Sequence, residues 1–321
     1  MIKRACIQLA GMNYDLAVSN IKSYIAIKHR DKDGFNEQGS PNIFVYDTAG
    51  SIAFSFISSH GGERGIAFWP NDNYVITTGC GHSQNWKADG IKQWLIGNHA
   101  LKHLFSDTPL TGINTHLHGV TPQGRYILGT NHSGSWIIDT RTNDTISMAN
   151  MDIFSAWLVF SQDEKYTGVA KNIFLRIDDK GLLLDNSSGK VIWEKKEERV
   201  LAFHPNNTSF LTTAFGKVIL RTLPSAEKLN EFPFDGIDGI TAAAYSQDGS
   251  KLAIGPVSYK YVFIFNTRNM ELVDQLCLDD QDIHYGNRRI RLLKFTAKDE
   301  LIVGEIHSKN GQWHTQIGVW K

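Results

Sequence analysis

The sequence predicts an all-β chain folded as a seven-bladed β-propeller of four-stranded blades, with the N-terminal strand closing the last blade. Three observations predict it: a strand–turn–strand unit recurs seven times, a second strand signature recurs inside each unit, and a spare strand at the N-terminus matches a strand missing at the C-terminus.

The repeated unit is an apolar strand ending at an anchor residue, then a short turn, then a second apolar strand six residues after the anchor. Its clearest copy runs Gly65-Ile66-Ala67-Phe68, Trp69-Pro70-Asn71-Asp72-Asn73, Tyr74-Val75-Ile76-Thr77. The anchors are Val18, Phe68, Val120, Phe160, Phe203, Tyr245 and Phe295. Their mean spacing, about 46 residues, is close to the length of a four-stranded blade. The linkers are rich in Pro, Asn, Asp and Gly, residues that close tight turns. Apolar residues alternate with period two and capped helical stretches are missing, so a helical reading fits poorly.

The second signature is an apolar strand that ends in a polar turn. It appears as Ile43 to Thr48, Trp136 to Thr140, Leu182 to Asn186 and Val262 to Thr267, with Asp89 to Trp94 in the second unit. Fourth strands follow, such as Ile52 to Phe56 and Lys190 to Trp193. The last segment, Gln316 to Trp320, is only the third strand of unit seven. Ile2 to Leu9 is an apolar strand ahead of unit one, and it is expected to supply the missing fourth strand, which removes two open edges.

These third-strand signatures resemble those of WD40 repeats, and the chain is similar to the WD40-like propeller superfamily over essentially its whole length. Of the Gly-His dipeptides of standard repeats only His60 stands near an expected place, and no Trp-Asp pair is intact. The resemblance implies a non-enzymatic protein-interaction module or scaffold subunit that binds a protein partner on its top face within a larger assembly.

Composition is consistent with one domain over residues 1–321, since no linker divides the chain. Lys plus Arg and Asp plus Glu are 33 each, so the net charge gives no support to nucleic-acid or membrane-surface binding. Three scattered cysteines, Cys6, Cys80 and Cys277, argue against a disulfide framework and fit a reducing compartment. No signal peptide and no run of 18 apolar residues is present, so a cytoplasmic location is expected. The Asn-x-Ser/Thr triplets at Asn131 and Asn143 are read as chance matches.

Function is expected in the loops of the top face, where second-to-third-strand and between-blade connections meet. The longest are Lys28 to Pro41, Gly79 to Asp89, His307 to His314, Asp279 to Arg289 and Gly97 to Ile113, all in blades seven, one, two and three. This sector carries Phe35, Arg64, His82, Trp86, Tyr285, Arg288 and Trp313, aromatic and arginine side chains of the kind that anchor partners. Those seven are the candidate partner-binding residues.

The alternative is a metal-dependent propeller hydrolase or lactonase with a His-rich site at the channel mouth. His29, His60, His82, His116, His132, His284, His307 and His314 all fall in top-side segments. Only His116-Leu117-His118 has ligand spacing, two residues on one side of a strand. No catalytic residue, cofactor or metal ligand is assigned. Gly134-Ser135-Trp136 lacks the second glycine of a nucleophile elbow, Cys80 in Gly79-Cys80-Gly81-His82 is read as a buried small thiol, and Asp279-Asp280-Gln281-Asp282 lacks the spacing of a calcium loop.

Overall fold

The computed structural model describes residues 1–10, 14–19, 21–29, 43–56, 65–78, 91–96, 101–105, 116–131, 134–148, 157–170, 180–214, 216–234, 239–257, 260–278, 288–309 and 312–321. Among them are seven four-stranded antiparallel sheets and no helix, the blades of a seven-bladed β-propeller. The first strand, β1 (Lys3–Ala10), belongs to the last blade. Blade one is β2 (Tyr14–Val18), β3 (Ile25–His29), β4 (Ile43–Tyr46) and β5 (Ile52–Phe56). Blade two is β6 (Ile66–Phe68), β7 (Tyr74–Thr78), β8 (Ile91–Leu95) and β9 (Leu101–Phe105). Blade three is β10 (His116–Val120), β11 (Tyr126–Asn131), β12 (Gly134–Asp139) and β13 (Thr145–Met148). Blade four is β14 (Trp157–Phe160), β15 (Tyr166–Ala170), β16 (Lys180–Asp185) and β17 (Val191–Lys196). Blade five is β18 (Arg199–Phe203), β19 (Ser209–Ala214), β20 (Lys217–Thr222) and β21 (Lys228–Pro233). Blade six is β22 (Ile240–Tyr245), β23 (Lys251–Pro256), β24 (Tyr261–Asn266) and β25 (Leu272–Cys277). Blade seven is β26 (Arg288–Phe295), β27 (Leu301–Lys309) and β28 (Gln312–Trp320), completed by β1.

The seven anchors are the last residues of β2, β6, β10, β14, β18, β22 and β26. The turn after each anchor shows why the spacing is so regular. The residue after the anchor is Ser19, Thr121, Ser161 or Ser246 in four blades, and its hydroxyl accepts the N–H of the residue five further on, at 2.6 to 3.0 Å. Four residues after the anchor, the backbone turns left-handed in blades two to seven, at Asp72, Gly124, Glu164, Asn207, Gly249 and Asp299. A non-glycine residue there is uncommon and is enriched in Asp and Asn, so the Asp and Asn content of the linkers has a conformational cause.

The turn between third and fourth strands repeats in the same way. Asp47, Asp139, Asp185 and Asn266 each use Oδ1 to accept a backbone N–H two or three residues on, at 2.8 to 3.0 Å.

The chain forms two compact units. One comprises residues 13–158 and 185–190, holding blades one to three; the other comprises residues 1–12, 159–184 and 191–321, holding blades five to seven and most of blade four. Within the first, Ala26, Ile43 and Val45 of blade one pack on Ile66, Phe68 and Val75 of blade two, and Ile76 and Ile91 pack on Leu117, Ile127 and Ile138 of blade three. Each such buried aliphatic contributes roughly 2 kcal/mol. The turns are also laced to one another. Asp72 is fully buried and accepts the N–H groups of Ile21 and Lys22 from the blade-one turn, and Gly124 sits against Pro70 and Trp69. In the other unit, Asn207 Oδ1 accepts the Asp163 N–H, Gly249 lies against His204, and Lys251 pairs with Asp299.

β1 pairs antiparallel with β28 from Lys3↔Trp320 to Ala10↔His314, with one irregularity at Arg4. The N-terminal strand therefore closes the last blade, as the strand count requires.

Three segments differ from expectation. Leu101–Phe105, expected between blades, is the fourth strand of blade two. Arg288 and Arg289 begin β26 rather than ending a loop. His307 to His314 is not a long loop: β27 and β28 stay paired out to Lys309↔Gln312.

Candidate functional site

Blade seven carries the candidate site on the face that packs against blade six. Residues two apart on a strand share a face. Leu301 and Val303 of β27 belong to one core with Ala253, Val262 and Ile264 of blade six, and with Trp320 of β28. Further along the same face the chemistry changes. Val303 lies opposite Gly318, Glu305 opposite Gln316, and His307 opposite His314. The face thus runs from aliphatic to acidic to imidazole.

The polar end is not simply a solvated rim. Glu305 is 2% exposed, His307 4% and Gln316 3%. Burying a carboxylate and an imidazole costs stability unless they are compensated, so such a group in a core strand marks a candidate functional site. Glu305 Oε1 stands 3.8 Å from His307 Nδ1. The rings of His307 and His314 stack with centroids 5.6 Å apart and planes inclined by 29°. Gly255 of blade six presses on Ile290, which lies opposite Glu305, and a Cβ at Gly255 would come within 2.8 Å of that side chain.

Two of the seven predicted partner-binding residues fall in this region. Arg288 lies opposite His307, and Trp313, partly buried, lies opposite Ser308. The β27–β28 ladder continues beyond His307↔His314 through Ser308↔Trp313 and Lys309↔Gln312. Phe35, Arg64, His82, Trp86 and Tyr285 lie outside the described residues, as do His60, Cys80, His132, His284 and the Asp279–Asp282 run.

A second cluster, absent from the candidates read in the sequence, joins the inner strands of blades one to three. Asp15 of β2 lies opposite Lys28 of β3, which is 2% exposed. Asp15 Oδ2 accepts the N–H of Gly65, at the entry to β6, at 2.9 Å. Gly65 has φ +102° and faces the Leu117 carbonyl so closely that a Cβ would lie 2.1 Å from it. His118 of β10 bonds Thr130 Oγ1 through Nε2 at 3.0 Å. Burial holds the His118 pKa down to about 4, against the opposing pull of the Asp15 carboxylate.

The strand register is irregular at His118, between Leu117 and Gly119. Among the described residues, no group of three or more His, Cys, Asp or Glu is placed to hold a metal ion.

A third buried polar set is architectural. Arg221 of β20 grips Glu198 with two nitrogens, at 2.9 and 2.6 Å, and donates to the Ala226 carbonyl at 2.8 Å; Thr212 adds a bond to the same carboxylate. The Arg221 guanidinium also lies 5.2 Å from the ring of Trp193 in blade four, tying two blades together.

No helix of the described residues is long and apolar enough to cross a membrane. No protein-family model matches the chain, and no curated protein matches it.

Proposed function

We propose that this propeller is a non-enzymatic interaction module that binds a protein partner through the paired ends of β27 and β28 in blade seven, as a scaffold subunit of a larger assembly. The observation that carries this reading is the pair Ser308↔Trp313 near the end of the β27–β28 ladder, with Trp313 only partly buried and the buried polar layer of Glu305, His307 and Gln316 next to it. A tryptophan on paired strands offers a large contact area at little entropic cost, the usual character of a binding hot spot. A propeller fold hosts many functions, so the fold is compatible with this role and does not by itself select it.

The test compares the wild-type chain with Trp313→Ala and Ser308→Arg as baits in quantitative co-purification. The reading expects one set of proteins to be lost from both variants while their melting temperatures stay within about 2 °C of wild type, as for a surface substitution. Identical recovered proteins would refute it. Metal-dependent ester or lactone hydrolysis by the purified chain would replace it with the hydrolase reading.

A further inference from the structure

We infer that β17, the outer strand of blade four, is the edge through which two copies of this chain pair antiparallel, with Ile192 of one copy facing Ile192 of the other. This goes beyond the partner-binding proposal and does not depend on it.

β17 ends its sheet, in the order β14-β15-β16-β17, so alternate N–H and C=O groups along it point away from the blade. Large aliphatic side chains stand exposed near the start of three such outer strands. They are Val191 and Ile192 of β17, 42% exposed each, Leu229 of β21, and Leu272 and Val273 of β25. A register shift accompanies each group. In β17, Trp193 lies opposite Leu183 and Val191 opposite Leu184, so Ile192 has no opposite residue in its own blade. Leu229 and Val273 are passed over in the same way. A bulge with charges beside it guards an edge against indiscriminate pairing. β17 differs from the other two in how its charges are placed.

Two-fold symmetry restricts how a strand pairs with its own copy. One residue faces itself, and residues equally far on either side of it face each other. With Ile192 on the axis, Lys190 faces Glu194 of the second copy and Val191 faces Trp193, and symmetry repeats both contacts. Lys195 and Lys196 then face Gly189 and Ser188, so no like charges meet. Centring on Trp193 would set Lys190 against Lys196, and centring on Glu194 or Lys195 would set that residue against itself. Opposite charges across a strand pair stabilise it and like charges oppose it, which selects the Ile192 register. The other two edges lack this match. Leu229 on the axis sets Glu227 against Glu231, and Val273 on the axis sets Leu272 against Asp274.

The side chains are placed for such a contact. Lys190, Glu194, Lys195 and Lys196 are exposed. Glu194 meets Lys180 of β16 through Oε1, and its Oε2 receives Lys190 of the second copy. Trp193 is partly buried, with its ring edge-on to Phe210 at 5.6 Å, and gives Val191 of the second copy a fixed surface. An aromatic ring beside a β-branched side chain is a favourable cross-strand pair. One strand per copy makes a small interface, so the dimer is a weak one that forms at micromolar concentrations.

The experiment is sedimentation equilibrium of the full chain in low salt with a reductant, between about 1 and 200 µM. The mass is expected to rise from that of one chain toward that of two, and a chain that stays single throughout overturns the inference. Glu194→Lys sets a lysine against Lys190 and weakens association about 10-fold or more, and adding Lys190→Glu restores it. Both positions are exposed, so the melting temperatures stay within about 2 °C of wild type. A double variant as weak as the single one overturns the inference, as does association that Glu194→Lys leaves unchanged. Register is read by oxidising cysteine variants at high concentration. Ile192→Cys links two copies through the substituted position, because facing residues lie within disulfide reach. Lys196→Cys does not, because its counterpart is displaced by about 26 Å along the strands. Mass spectrometry of the linked peptides separates these links from any through the exposed Cys6 and Cys277. A link at Lys196→Cys with none at Ile192→Cys refutes the register and the inference with it.

Discussion

His118 offers the sharpest test of how the inner strands are held together. Its pKa in the folded chain is about 4, against an ordinary 6.5, because burial disfavours the imidazolium more than the Asp15 carboxylate favours it. The unfolded chain therefore takes up a proton at His118 that the folded chain refuses. The associated stability is fully present above pH 6.5 and is lost progressively as the pH falls toward 4. The full shift corresponds to about 3 kcal/mol, an upper figure because part of the ring still meets solvent. His118→Gln keeps a group able to bond Thr130 and removes the titration. Urea unfolding of both proteins from pH 7.5 to 4.0, followed by tryptophan fluorescence, should show the wild type losing up to about 3 kcal/mol more than the variant across that window. Carboxylates held low by hydrogen bonds, such as Asp248 with Ser246, titrate in both proteins and cancel in the difference. Parallel stability curves would refute the reasoning, because they would mean that His118 is protonated as easily folded as unfolded.

Deleting residues 1–10 removes β1 and strips β28 of one partner, so the melting temperature should fall by about 10 °C or more in differential scanning calorimetry; an unchanged value would reject the strand pairing. Gly249→Ala forces a Cβ at φ +73° to within 2.7 Å of the His204 ring, for an expected loss of about 1–3 kcal/mol in urea unfolding; adding His204→Ala should recover the steric part and leave the conformational part. Glu198→Ala strands the buried Arg221 guanidinium and should cost about 3–5 kcal/mol, whereas Glu198→Leu with Arg221→Met should recover most of that loss, and a double variant as unstable as the single one would contradict this account.

Much of the fold was legible in the sequence because its determinants are local. The hydroxyl after Val18 or Val120 caps its own turn five residues away, and Asp139 or Asn266 caps the next within three. Such contacts need only a few residues in order, so they repeat wherever the blade repeats. The segment His307 to His314 was read as loop because His307, Ser308 and Trp313 break the apolar pattern, yet all three are strand. Strand β9 was missed for a related reason: Leu101-Lys102-His103-Leu104-Phe105 carries no repeat signature and lies within a long segment without turn spacing.

The candidate site was less legible. The sequence marked blade seven as a sector to watch and named Arg288 and Trp313, and both stand on its paired strands. It did not mark Glu305 as buried, nor join Asp15, Gly65 and His118, which are 50 and 53 residues apart along the chain. The sequence by itself determined the number of blades, the turn after every anchor and the strand that closes the last blade. Period-two alternation and turn chemistry act over a handful of residues, and the repeat multiplies them sevenfold. Only the tertiary structure decided which polar side chains became buried and whom they face. That depends on strand register and on the neighbouring blade, and a single irregularity, such as the one at His118, changes the outcome without altering the sequence pattern.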